Sequence, residues 1–190
     1  MILPIVAYGD AVLRKKTEEI GPDYPELEQL ISDMFETMYQ ANGVGLAAPQ
    51  IGRSIRLFVI DGSPYQDEDP SLKEFKKAFI NAQILEKGEA ECSANEGCLS
   101  IPDIREDVNR PEEITIRYQD EQFKEHTETY CGAAARIIQH EYDHIEGKLF
   151  TDYLSPLKKR MLQNRLNAIS KGDIEVDYRM RFPKPLRKRR

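Results

Sequence analysis

Long apolar runs are missing from this 190-residue chain. No stretch approaches the roughly 20 residues that a membrane-spanning helix needs, so no membrane partner is expected. A secretory signal is not expected either. Met1–Ala7 is apolar but short, has no basic region before it, is interrupted by Pro4 and is soon followed by Asp10. Cysteine is scarce and odd in number: Cys92, Cys98 and Cys131. An odd set without a secretory signal argues against a disulfide framework and for a reducing compartment, hence a cytoplasmic protein. No internal repeat or low-complexity segment is apparent. Acids are absent from residues 179–190, which carry seven positive charges; the chain total is −6, which leaves −13 for the body. A basic tail on an acidic body can contact nucleic acid, although a solvated end is its more ordinary meaning. Histidine is scarcer still, with three in the chain.

Two of those three lie in one segment, Ala134–Gly147, which has the spacing of an amphipathic helix of about four turns. Gly132 precedes it and Gly147 is a natural stop. Within it stands His140-Glu141-x-x-His144. Residues four apart on a helix lie one above the other on the same face. Two imidazoles so placed can grip one metal ion, and Glu141 is placed to take a proton from a water that the ion acidifies. The surrounding Ile137, Ile138, Ile145 and Leu149 make a simply solvated histidine face a poor alternative.

Hydrophobic content of 40% and charged content of 32% are ordinary for a soluble domain. The length suggests one domain, taken as residues 1–170, with 171–190 as a basic C-terminal tail. Asp10 opens a short capped segment, Ala11–Arg14. Leu27, Leu30, Ile31, Met34, Phe35 and Met38 form a helical stripe over about 25–41, a packing face rather than a binding one. Asn42-Gly43 closes it. Residues 43–52 read as a loop with two early glycines, and Gly62–Pro70 as a surface excursion. Strands are expected over 54–61, 75–86 and 89–92. Ile114–Tyr118 and Phe123–Tyr130 form a hairpin. Ser155-Pro156 is an N-cap and first-turn pair opening a helix over 157–169.

A two-histidine site needs a third ligand. Downstream of His144 there is no histidine, and Glu146, Asp152, Asp173, Glu175 and Asp177 follow no metzincin-like pattern. Cys98, beside the permissive Gly97, is a better candidate, because a thiolate suits a borderline metal. Taken alone, a lone cysteine is as readily a small buried hydrophobe.

Three segments together resemble the peptide deformylase family: Gly43-Val-Gly-Leu-Ala-Ala-Pro-Gln50, Glu96-Gly-Cys-Leu-Ser-Ile-Pro102 and Gln139-His-Glu-x-Asp-His144. They stand in the family's order, and Gly9-Asp10-x-x-Leu13-Arg14 and Gly147-Lys-Leu-Phe150 also fit, so the likeness spans about residues 5–160. The excursion near 64–70 is longer than in the shortest members, and the tail after 170 has no counterpart in the pattern. The resemblance implies an α+β fold, with largely antiparallel sheets around the central His-Glu-x-x-His helix and a C-terminal helix outside. It implies Cys98, His140 and His144 as ligands of one divalent ion, expected to be Fe2+, with Zn2+, Ni2+ or Co2+ as substitutes. It implies Glu141 as the base, and the Gln50 amide and the Leu99 backbone N–H as oxyanion donors. Gly43, Val44, Gly45, Glu96, Gly97 and Ile137 are expected to bind substrate, with Val44 and Ile137 lining a methionine pocket. The implied reaction removes formyl from the N-terminal formyl-methionine of nascent peptides, and the basic tail offers a possible ribosome contact. A zinc endopeptidase and a non-catalytic metal- or RNA-binding module are the competing readings. The first is opposed by the missing downstream ligand, the second by an intact Glu141.

Overall fold

A computed structural model describes residues 1–183. Nine strands and three α-helices follow in the order β1 (Ile5–Val6), α1 (Leu27–Gln40), β2 (Gly45–Ala47), β3 (Leu57–Asp61), β4 (Lys76–Lys87), β5 (Glu91–Cys98), β6 (Ile101–Pro111), β7 (Glu113–Gln119), β8 (Glu125–Cys131), α2 (Gly132–Ile145), α3 (Pro156–Lys171) and β9 (Met180–Arg181). The fold is α+β. Strands β2-β3-β4-β7-β8 form one antiparallel sheet, β5 and β6 a long antiparallel hairpin, and β1 pairs with β9 in parallel.

The helices follow their apolar spacing. In α1, Ile31, Met34, Phe35 and Met38 are buried, and they pack with Leu46, Leu57 and Val59. α2 is buried on more than one side, with Ala135, Ile137, Ile138 and Ile145 set against Phe58, Ile60, Phe79 and Ile116 of the main sheet. That burial makes it the central helix. α3 opens as its sequence suggests, with the Ser155 hydroxyl accepting from the Lys158 N–H at 3.3 Å. Its Leu162, Leu166 and Ile169 pack on Ile101, Ile104 and Val108 of β6.

Three local expectations are corrected. Residues 43–52 are not simply loop: β2 lies there, followed by a short 3-10 turn over Ala48–Ile51. The strand expected over 89–92 runs on to Cys98. Its partner β6 was not anticipated at all. Alternate residues from Ile104 to Arg110 do face inward, but two of those four positions are Glu106 and Arg110, so the period-2 hydrophobic signal is lost.

The basic C-terminal stretch begins as structure rather than as a solvated end. The Ile5 and Ala7 N–H groups donate to the Arg179 and Arg181 carbonyls, both at 2.9 Å. Ile174, Met180 and Phe182 pack against the α3–β6 core. The five remaining cations expected of the tail, Lys184, Arg187, Lys188, Arg189 and Arg190, lie outside the described residues. Among the described residues no helix is long and apolar enough to cross a membrane.

Candidate metal centre and cleft

α2 enters from the edge strand β8 and runs under the sheet, so the two histidines on its buried face are pointed at the β5–β6 hairpin. Cys98, the last residue of β5, meets them there. Its sulfur lies 3.3 Å from His144 Nε2, and the ligating atoms of Cys98, His140 and His144 all fall within 4.8 Å of one another. His140 Nδ1 is engaged by a Glu96 carboxylate oxygen at 2.8 Å. That contact orients the ring and leaves Nε2 for the centre, the usual way a neighbouring carboxylate sets a ligand histidine.

Glu96 is itself held from three sides. Arg110 donates from Nε to Oε1 at 2.6 Å and from Nη2 to Oε2 at 2.9 Å, and Arg136 Nη1 reaches Oε1 at 2.9 Å. Arg110 also donates to Asp143 at 2.6 Å, and Asp143 accepts from the Tyr153 hydroxyl at 2.9 Å. Burial opposes ionisation of Glu96, but the bonds from Arg110 and His140 outweigh it and hold its carboxyl below the usual range. Removing one partner of a buried charge network leaves the other unpaired, which costs roughly 3–5 kcal/mol. The network therefore stiffens the hairpin against α2 at the point where Cys98 meets the histidines.

Gln50 approaches from the 3-10 turn after β2. Its Oε1 accepts from the Ala47 N–H at 2.8 Å, which commits the carbonyl end inward to β2. The amide nitrogen is thereby turned toward Ser100 Oγ at 3.3 Å and Cys98 Sγ at 3.5 Å. Glu141, 4% exposed, has one carboxylate oxygen with no hydrogen-bond partner. A Cβ added to Gly45 would come within 2.4 Å of its other oxygen, so only glycine leaves the carboxylate room here. Burial, reinforced by Glu96 and Asp143 and opposed by His140 and Arg110, pushes Glu141 up to about 7. Burial also opposes protonation of His140, yet hydrogen bonds with Cys98 and Glu96 push it up to about 10, while burial holds His144 well below its usual value.

The three donors fit a metal. One thiolate and two imidazoles converge, which leaves a fourth position open, as a catalytic site requires. The unpartnered Glu141 oxygen agrees with that, because a buried carboxylate oxygen normally has a donor and a water beside the ion would be one. Metal ligands bind in their deprotonated forms, so uptake of an ion here would be opposed by acid.

A cleft of about 590 Å³ opens beside this centre. Every residue expected at the site borders it except His144, which lies behind Cys98. Val44 and Ile137 border it while also packing on the main-sheet core. Gly43, Gly45 and Gly97 border it too, and Cβ atoms there would meet Leu99, Glu141 and Arg105 respectively. Sequence reasoning missed Arg110, Arg136, Ser100 and Tyr178. The three charged or aromatic ones carry no local pattern, and Ser100 was legible only as part of a quoted motif.

The family model for polypeptide deformylase matches residues 2–160. A peptide deformylase of Christiangramia forsetii is 57% identical over 96% of this chain and 97% of its own length. Among solved structures, a peptide deformylase of Legionella pneumophila superposes with a TM-score of 0.79 at 39% identity, covering 91% of this chain and 98% of that one. A Plasmodium falciparum peptide deformylase in complex with an inhibitor gives a TM-score of 0.76 at 34% identity, covering 88% and 99%.

Proposed function

The chain belongs to the polypeptide deformylase family, and from that premise we propose how its own residues carry out the family's reaction. It is an enzyme that removes the formyl group from the N-terminal formyl-methionine of newly synthesised polypeptides, releasing formate. The observation that carries the mechanism is the convergence of Cys98, His140 and His144 within 4.8 Å, with an unpartnered buried Glu141 beside them.

In this reading Cys98, His140 and His144 hold one divalent ion. Such an ion, when bound, would supply Lewis acidity at this point of the cleft. Glu141 would accept the proton of the attacking water as it adds to the formyl carbon. The oxygen of the former carbonyl becomes an oxyanion, and the Gln50 amide and the Leu99 N–H donate to it. Glu141 then returns the proton to the departing amine nitrogen, so formate and a free N-terminus balance water and amide. Gly43, Gly45 and Gly97 leave space for an extended peptide, and Val44 and Ile137 line the methionine pocket. Glu96 borders that path, but its carboxylate serves chiefly to set His140.

The ion proposed is ferrous iron; one thiolate and two imidazoles also suit zinc, nickel and cobalt, so availability decides. The site of action proposed is the cytoplasm. The cations of 179–190 would draw the enzyme toward the RNA of a ribosome.

Gln50→Ala tests the oxyanion assignment. Turnover of a formyl-Met peptide should fall by roughly 100- to 1000-fold, the range for losing one such donor. Metal content should not change, because Gln50 is not a ligand. A loss below about threefold would reduce Gln50 to a structural role.

A further inference from the structure

The stretch matched by the family model ends at residue 160, yet one wall of the cleft is built by Glu175–Tyr178. The Tyr178 hydroxyl donates to the Leu99 carbonyl at 2.7 Å. Leu99 sits at the tip of the β5–β6 hairpin, where the ladder is irregular: the register slips between Gly97 and Cys98, and Cys98 pairs directly with Ile101. The strands therefore do not themselves fix the two tip residues, Leu99 and Ser100. They are tied from outside. The Tyr8 N–H donates to the Ser100 carbonyl at 2.8 Å, and Tyr178 holds the carbonyl before it.

Both ties come from segments that brace each other. β1, just before Tyr8, pairs with β9, just after Tyr178, in the register Ile5↔Met180 and Val6↔Arg181. Met180 and Phe182 anchor β9 in the α3–β6 core, and the Arg181 guanidinium fills the space beside Gly52. Tyr178 thus stands two residues before a seated strand, and its ring packs with Leu99 against the α1 core.

We propose that Tyr178 is a positioning residue for the oxyanion hole: by holding the Leu99 carbonyl, its hydroxyl sets the rotation of the hairpin tip and so aims the Leu99 N–H. The proposal rests on the reading of Leu99 as an oxyanion donor. An N–H aimed at a developing charge stabilises only the transition state, so misalignment lowers kcat and leaves KM nearly alone.

Tyr178→Phe is the test, since it keeps the ring and removes only the hydroxyl. On a formyl-Met peptide, kcat should fall about five- to tenfold, the effect of one lost neutral hydrogen bond. KM should stay within about twofold, with metal occupancy at the wild-type value and the melting temperature lowered by no more than about 5 °C. An unchanged kcat would overturn the proposal. So would a rise in KM alone, which would mean direct substrate contact, or a fall in kcat that tracks a loss of metal or a larger drop in melting temperature. If the wild-type protein releases no formate, the reading of the site fails first. If wild type is active and Gln50→Ala is crippled while Tyr178→Phe is not, only this inference fails.

Discussion

Glu141→Gln should reduce formate release by about 10²–10⁴-fold while leaving the metal complement unchanged. The side chain is buried, lies next to His140 in the chain and has one carboxylate oxygen without a partner. An amide of the same shape fills the same space above Gly45 but cannot accept the proton of the attacking water. Metal should stay, because the proposed ligand atoms are those of Cys98, His140 and His144, which lie within 4.8 Å of one another. The pH profile adds a second readout. The base must be ionised to work, so the wild-type rate should fall as pH drops through its pKa. Burial puts that near 7 in the metal-free protein, and a cation alongside favours the carboxylate and moves the acid limb lower. Metal analysis with steady-state kinetics checks the substitution. A Glu141→Gln protein keeping more than about a tenth of wild-type turnover would remove Glu141 from the role of base.

Cys98→Ser should lose metal and activity together. A serine hydroxyl stays protonated near neutral pH and is a poor replacement for a thiolate, so two imidazoles would remain where a stable site has at least three protein ligands. The other two cysteines give the comparison. Cys131 is exposed at the start of α2, and Cys92 meets Arg136 Nη2 at 3.0 Å on β5, away from the converging donors. Cys92→Ser and Cys131→Ser should therefore keep metal and most of the rate. Full metal occupancy in Cys98→Ser would sink the ligand assignment.

Part of the candidate site is legible in the sequence. The i, i+4 spacing of His140 and His144 on an apolar helix needs only helix geometry, and α2 carries both to one point. Cys98 was different: composition left it between ligand and buried hydrophobe, and only the resemblance to a family chose. The helices read well because their buried faces are apolar at helical spacing. β6 did not read, because its inward positions include Glu106 and Arg110. The same choice of residues hid the second layer of the site. Arg110 on β6, Glu96 on β5 and Asp143 on α2 are distant in sequence and ordinary one by one; pairing of the hairpin and its docking on α2 bring them together. The C-terminal strand was hidden for another reason. Two residues pairing with β1 make no periodic pattern, and a run of arginines there suggests solvent rather than a cleft wall.

The most direct test of the account sets one metal-loaded, anaerobically prepared sample on three substrates: formyl-Met-Ala-Ser, acetyl-Met-Ala-Ser and casein. A formyl carbon carries only hydrogen where an acetyl carbon carries a methyl. That methyl would sit at the reacting carbon, between the proposed oxyanion donors Gln50 and Leu99 and the proposed ligands, so it would act on the transition state. Formate should be released from the first peptide, the acetyl peptide should be processed far more slowly, and casein should remain intact. Casein cleavage without formate release would contradict the account in favour of an endopeptidase. Neither activity in a fully loaded sample would contradict it in favour of a metal-binding module.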